Sequence, residues 1–402
     1  MDYPAIAAAA RNYEQPMVDF LREIVAIQSL SGHEDKVIAR IRQEVEKLGF
    51  ADKVWVDGIG NLLVQIGSGP RLIAIDAHVD TVGLGNEKEW KHDPFAGKIE
   101  DGKVWGRGAG DQKGAVPAMV YGGRMIHDLG LKSDEWSLLL TFTVMEEDCD
   151  GLCWQYIVKE DKITPECVVV TDSTNCHVFR GQRGRMEIGI TTTGKSCHGS
   201  MPEKGDNAVY KAAKIVRRIE KLNKKLKKDK FLGNGTVIVS YIDCKTPSRC
   251  AVPDGAFIQL DRRLTTGETA KKALKEVREA VKKAGVKATV ELLKYAEKAY
   301  TGIVYETDKY FPTWIQAANS APVKACVEAH KALFDKPPVV DRWTFSTNAV
   351  SIAGMYGIPV VGFGPAPEAV AHTVNDSVPI EHLTRCAAMY AAFPGTYCGI
   401  KK

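Results

Sequence analysis

Leu72-Ile73-Ala74-Ile75-Asp76-Ala77-His78-Val79-Asp80-Thr81 decides how the rest of the chain is read. Its apolar start, Leu72 to Ala77, is a short continuous run of the kind that forms a strand buried on both faces. His78 and Asp80 stand where that strand should end. If the extended backbone continues, positions i and i+2 share a face. Asp80 can then accept a hydrogen bond from His78 and set the ring tautomer for binding a metal ion. Taken alone, His-x-Asp is more often an ordinary surface pair.

Upstream, residues 17 to 49 carry apolar positions at helical spacing (Val18, Leu21, Val25, then Val37, Ile41, Val45, Leu48), with Ser31 and Gly32 as break and cap between two helices. Downstream, further apolar runs at Asn61 to Ile66, Leu138 to Val144 and Cys167 to Thr171 are separated by a helical stretch near Ala115 to Leu129. Buried strands alternating with helices predict an α/β domain with a mostly parallel sheet, whose working residues collect beyond the C-terminal strand ends. From Met186 the texture changes. Ile188 to Thr193 and Val237 to Ile242 alternate like half-exposed strands, and long basic helices are expected at Ala208 to Lys228 and Thr269 to Ala284. That is an inserted α+β unit. Ile352 to Tyr356 and Pro359 to Phe363 then resume the buried-strand character, so the C-terminal part should complete the first domain. The expected organisation is residues 1–181 with 297–402, interrupted by 182–296.

With 402 residues the chain exceeds one ordinary hydrophobic core, in line with two domains. The 54 Lys and Arg nearly balance 50 Asp and Glu, a net charge of +4 that points to neither nucleic acid nor a membrane surface. The Lys-rich stretch Lys221 to Lys230 has Phe231 only at its end and reads as a solvated helix face. No basic n-region opens the chain and no run of about 20 apolar residues follows, so a cytoplasmic protein is expected. The ten cysteines lack a Cys-x-x-Cys pair, which fits reduced thiols and no thiolate-bound structural zinc.

Further elements join His78-x-Asp80. Gly108-Ala109-Gly110-Asp111-Gln112-Lys113-Gly114 bends glycine-flanked backbone around one carboxylate. Its glycines with Lys113 also suggest a phosphate loop, but the spacing matches neither common nucleotide fingerprint. Met145-Glu146-Glu147-Asp148 places adjacent carboxylates at the exit of a buried strand, where a cation would relieve their repulsion. Asp172 ends another apolar run, and His372 lies in a loop bounded by Gly and Pro. Imidazoles and carboxylates supplied from successive strand ends are what a two-zinc site requires.

In order and approximate spacing, His78-x-Asp80, Gly110-Asp111-x-Lys113-Gly114, Glu146-Glu147, Asp172 and Ala371-His372 resemble the M20 metallopeptidase family across nearly the whole chain. That family includes succinyl-diaminopimelate desuccinylase, acetylornithine deacetylase and carboxypeptidase G. Trp343-Thr344-Phe345-Ser346-Thr347-Asn348 and Gly362-Phe363-Gly364-Pro365 look closest to a subgroup of hydrolases associated with selenium and purine catabolism. The resemblance implies hydrolysis of an amide or peptide C–N bond next to a carboxylate-bearing group. Asp111 would bridge two Zn2+ ions about 3.5–4 Å apart, with Co2+ or Mn2+ as substitutes. His78 and Asp172 would complete one ion, Glu147 and His372 the other. Glu146 would be the general base, with Asp80 behind His78 and a cis Asp111–Gln112 peptide.

By the same resemblance, residues 182–296 form a ferredoxin-like lid and dimerisation domain of a homodimer. His198, in Gly194-Lys195-Ser196-Cys197-His198-Gly199-Ser200, would reach the partner's site to stabilise the oxyanion. Arg263, rather than Arg262, of Asp261-Arg262-Arg263 would bind the substrate carboxylate. Cys250, Asn348 and Asp376 depart from residues common in relatives, which bears on substrate choice. Two other classes stay open here: a non-catalytic binding protein on the same fold, and a nucleotide-binding protein built on Gly106 to Gly114.

Overall fold

The strand Arg71–His78 runs parallel to Trp136–Thr143 on one side and to Cys167–Val170 on the other. Ile73 to Ala77 lose all contact with solvent, as an apolar run covered on both faces must. The computed structural model describes residues 1–400 and separates them into two units. The first comprises Met1–Gly181, Ala296–Tyr305 and Ile315–Lys402. Its large sheet continues in parallel from Cys167–Val170 to Val360–Gly362. Leu62–Ile66 adds antiparallel to Trp136–Thr143, Lys53–Val56 follows at one edge, and Val178–Gln182 lies antiparallel to Val360–Gly362. The sheet is therefore mixed, with its four parallel strands grouped at the centre.

Helices Ala115–Asp128 and Ile380–Gly399 pack on each other and on Trp136–Thr143, all eight of whose residues are buried. The two helices expected from periodicity are Glu14–Val25 and Asp35–Leu48, the latter stopped by Gly49 in the left-handed conformation at φ 63°. Before them, Tyr3–Asn12 forms a helix capped by the Asp2 carboxylate and buries Ile6 and Ala10. One expectation fails here. Ile352 to Tyr356 is no strand but lies in the wide helical turn Val350–Met355 and its cap. An apolar run of that length fits either state, and the peptide N–H groups of Ser351 and Ile352 bond back to the Asn348 carbonyl.

The second unit holds Gln182–Tyr295 and Glu306–Trp314. Its elements run strand Gly184–Thr193, helix Ala208–Asn223, strands Thr236–Lys245 and Gly255–Leu264, helix Ala270–Lys283, strand Thr289–Leu292. The antiparallel sheet places the first strand between the third and fourth, the ferredoxin-like arrangement. Buried and partly exposed positions alternate along Gly255–Leu264, and Ile188, Ile190, Ile258 and Leu260 meet Ile215, Ile219 and Val277 of the helices. The unit also takes in 306–314, which the sequence reading left with the first. Tyr310–Phe311 pairs with the start of Gly184–Thr193, and the Thr313 hydroxyl bonds Gly184 and Leu264. Among the described residues, no helix is long and apolar enough to cross a membrane.

Candidate metal centre

Because the central strands are parallel, their C-terminal ends fall on one edge of the sheet, and three of them deliver the candidate ligands there. His78 is the last residue of its strand, Glu146 and Glu147 follow Trp136–Thr143, and Asp172 follows Cys167–Val170. Asp111 arrives on the irregular turn Ala109–Lys113, with φ −125° and ψ 97°, and the Asp111–Gln112 peptide is cis as expected. His372 comes from the loop after Glu368–Val370. His78 Nε2 lies 3.2 Å from Asp111 Oδ1, 3.7 Å from Asp172 Oδ1 and 3.8 Å from Glu146 Oε2. His372 Nε2 lies 2.8 Å from Glu147 Oε2 and 3.3 Å from Asp111 Oδ2. Asp111 thus turns one oxygen to each histidine. Ligand atoms of His78, Asp111 and Glu147 all lie within 4.8 Å of one another.

The group concentrates negative charge where water is scarce: Asp111, Glu146 and Asp172 are each at most 6% exposed. Burial pushes Glu147 up to about 7, and the Asp111 charge adds to it. Burial likewise holds Glu146 and Asp172 well above the usual carboxylate range, with repulsion from Asp150, Asp172 and Glu147 adding at Glu146 and from Asp111, Asp76 and Glu147 at Asp172. Asp111 is the exception. Burial raises it too, but the His78 hydrogen bond and the charges of His78 and His372 outweigh that. Glu146 Oε1, Glu147 Oε1 and Asp172 Oδ2 are buried without a hydrogen-bond partner. Divalent cations would meet both the charge and the free oxygens.

Beneath these residues lies a layer of hydrogen bonds that fixes their backbone. His78 Nδ1 faces the Asp80 backbone oxygen at 3.0 Å, while the Asp80 carboxylate is 3.4 Å away, so the expected partner is only the lesser one. The strand stops at His78, so Asp80 does not keep the shared face. A carbonyl can only accept, so Nδ1 carries a proton, and Nε2 is the nitrogen that would give its lone pair to an ion. The Asp80 carboxylate accepts instead from Glu146 N, Glu147 N and the Ser31 hydroxyl, at 3.2, 3.0 and 2.6 Å. Glu34 accepts from Met145 N at 3.0 Å and is pushed up to about 8 by burial and the Asp80 charge. Asp376 accepts from Gly108 N at 2.6 Å, Gly110 N at 2.7 Å and Arg107 at 3.1 Å.

These last bonds dispose of the phosphate loop. Two of its N–H groups are filled by Asp376, and the Lys113 ammonium is buried on the carbonyls of Ile24 and Ile27, at 3.1 and 2.7 Å. Asp376 and Asn348, flagged as departures, are internal braces. Asn348 bonds Asp76, Thr143, Gly151 and Cys153 and is fully buried. Glu34, Ser31 and Arg107 were missed as contributors. The Ser31-Gly32 break beside an acidic residue was the only local sign, since Glu34 and Met145 lie 111 positions apart.

In the second unit, His198 sits on an exposed loop, where Ser200 N donates to its Nδ1 at 3.2 Å. It lines a cleft of about 600 Å³ with Ser200, Asn207, Tyr210, Arg249 and Cys250. Arg262 points into the core and pairs with Glu268 and Glu276 at 2.7 and 3.1 Å. Arg263 faces the other way and is partly exposed, but both arms of its fork already hold Asp261, at 2.8 and 2.9 Å.

Comparison with known proteins agrees with this fold. The model of peptidase family M20/M25/M40 matches residues 74–395. The chain belongs to that family, and it is a metallopeptidase or amidohydrolase. It is 53% identical over 394 residues to the Escherichia coli (strain K12) protein called "Uncharacterized protein YgeY", covering 98% of this chain and 97% of that one. It is 25% identical to succinyl-diaminopimelate desuccinylase 1 of Alteromonas mediterranea, covering 96% and 97%. An M20 family metallo-carboxypeptidase of Sulfolobus solfataricus superposes with TM-score 0.74 at 19% identity, covering 96% of this chain and 99% of the other. A Bacillus subtilis protein described as a dinuclear metal binding peptidase of the M20 family superposes with TM-score 0.70 at 13% identity, covering 97% and 99%.

Proposed function

We propose that this chain hydrolyses an amide or peptide C–N bond in a small substrate bearing a carboxylate, an N-acyl amino acid or a dipeptide, using two divalent metal ions. The observation that carries the reading is the division of Asp111, one oxygen toward His78 and the other toward His372. His78 and Asp172 would hold one ion and Glu147 and His372 the other, with Asp111 shared. The unpartnered buried oxygens of Glu147 and Asp172 fit that role. Zinc is the favoured occupant of this mixed imidazole and carboxylate set, with cobalt or manganese able to replace it. What the ions supply when bound is Lewis acidity toward the scissile carbonyl and the attacking water.

Glu146 is left to move the proton. Its Oε1 is buried and unpartnered, and it is assigned the transfer from water to the leaving nitrogen. Asp80 positions it, holding Glu146 N and Glu147 N. His198 is assigned the oxyanion. Acceptance of the Ser200 N–H at Nδ1 leaves the proton on Nε2, ready to donate. Arg263 is assigned the substrate carboxylate, which would take over the fork from Asp261. The molecule would act as a cytoplasmic homodimer joined through the second unit, so that His198 serves the partner's site. The exposed Ile238, Tyr241 and Ile242 on Thr236–Lys245, at the edge of its sheet, support such a contact.

The test is a panel of N-acyl amino acids, carbamoyl compounds and dipeptides offered to zinc-loaded protein. Turnover of at least one class, stopped by a chelator and lost when the substrate carboxylate is amidated, is expected. No turnover by metal-replete protein, or equal turnover of the amidated compounds, would overturn the reading.

A further inference from the structure

Four residues beyond Asp172, and apart from the candidate centre, the loop presents a second reactive group. Cys176 is 1% exposed and its Sγ lies 3.9 Å from Sγ of Cys386, which is fully buried on the helix Ile380–Gly399. The Cys176 backbone is pinned, its N–H donating to the Gly364 carbonyl at 2.9 Å, while Asn175 N donates to Ala366 at 2.7 Å. Both Asn175 and Cys176 adopt φ 56°, a left-handed conformation that side-chain-bearing residues avoid unless the surroundings impose it. The structure holds the thiol against its neighbour by force of these contacts.

His382, one turn before Cys386, completes the group. Ala366 N donates to its Nδ1 at 3.1 Å, which places the ring proton on Nε2, the nitrogen left to interact with Cys176. Burial pushes the Cys176 thiol up, but the hydrogen bonds of Cys386 and His382 and the charge of Arg385 outweigh it, leaving it at about 6. Burial and the neighbouring sulfur hold Cys386 well above the usual thiol value. The geometry carries the pairing: two thiols held 3.9 Å apart, with a histidine one helix turn from Cys386, are placed to form one bond. Hydrolysis has no use for either.

We propose that Cys176 and Cys386 form a redox modification site that closes to a reversible disulfide under hydrogen peroxide, with His382 positioning Cys176 for the first step. The Cys176 thiolate attacks one peroxide oxygen, the O–O bond breaks, and hydroxide leaves, giving a sulfenic acid. The Cys386 sulfur then displaces that oxygen, forming the S–S bond and losing its proton, and water departs. In sum, two thiols give up two electrons and two protons, and one peroxide becomes two waters. Closure requires the sulfurs to approach from 3.9 Å to about 2.05 Å, within reach of side-chain rotation and a small loop shift. A thiol returns both cysteines to the reduced state, as expected of an intracellular sensing disulfide.

The experiment uses the full, metal-loaded protein, treated with peroxide, quenched with N-ethylmaleimide under denaturing conditions and mapped by peptide mass spectrometry. A Cys176–Cys386 linked peptide should appear and vanish with dithiothreitol. In His382→Gln it should form about 5- to 10-fold more slowly, because lost thiolate outweighs the greater nucleophilicity of a more basic one. Recovery of both cysteines as maleimide adducts, under peroxide that oxidises the exposed Cys244, would overturn the proposal. So would linkage of Cys176 to another cysteine. Formation at an unchanged rate in His382→Gln would remove His382 from it. The wild-type map needs no variant, so a substitution that fails to fold does not blunt the test.

Discussion

The candidate ligands of the first unit and the two candidate substrate residues of the second are held in opposite ways. Around His78, Asp111 and Glu147 the backbone is tied down by buried carboxylates from elsewhere in the chain: Asp80 on Glu146 and Glu147, Glu34 on Met145, Asp376 on Gly108 and Gly110. The side chains of His198 and Arg263 are held by neighbours two residues away, Ser200 and Asp261, and stand at or near the surface. Charge packed at close range has to be fixed by its supports before any ligand arrives. Groups that meet a substrate can keep exchangeable partners.

This contrast can be broken by substitution. Glu146→Gln should lower turnover by about 10²- to 10⁴-fold with unchanged metal content and melting temperature, since only positioned proton transfer is lost. Asp376→Ala should cost about 3–5 kcal/mol in urea unfolding, because it leaves the nearly buried Arg107 without its carboxylate. A loss under about 1 kcal/mol would show that the glycine loop does not depend on this brace. His198→Ala, by contrast, should leave stability within about 0.5 kcal/mol while reducing turnover about 10²- to 10³-fold. Co-expressed with Glu146→Ala it should recover activity in mixed dimers, and failure with such dimers present would refute action on the partner. Arg263→Lys should raise KM about 10- to 100-fold with little change in kcat, as one charge-assisted hydrogen bond of the pair is lost. An unchanged KM would place the carboxylate elsewhere.

Much of the first unit was legible because its signals are local. Leu72 to Ala77, Leu138 to Val144 and Cys167 to Thr171 are short apolar runs with chemistry at their ends, and Asp111 is marked by its glycines. The bracing was not legible, because it joins residues that only the fold brings together. Asp376 reads as a family departure until it is seen 268 positions away on Gly108. Ile352 to Tyr356 misled because apolarity without period fits strand and helix alike. The return of 306–314 to the second unit rests on the two-residue strand Tyr310–Phe311, too short to leave a pattern. Arg263 was preferred over Arg262 by resemblance, and strand alternation explains the difference in their surroundings, while the Asp261 pairing two residues back went unread.

The central claim is that Asp111 is shared by two ions in a centre prepared by its own scaffold. Elemental analysis of zinc-reconstituted, exhaustively dialysed protein tests it most directly. About two zinc per chain is expected for the wild type, falling below about one in Asp111→Asn, since a shared ligand serves both ions. A wild type that retains none, or an Asp111→Asn protein that keeps both, would contradict it.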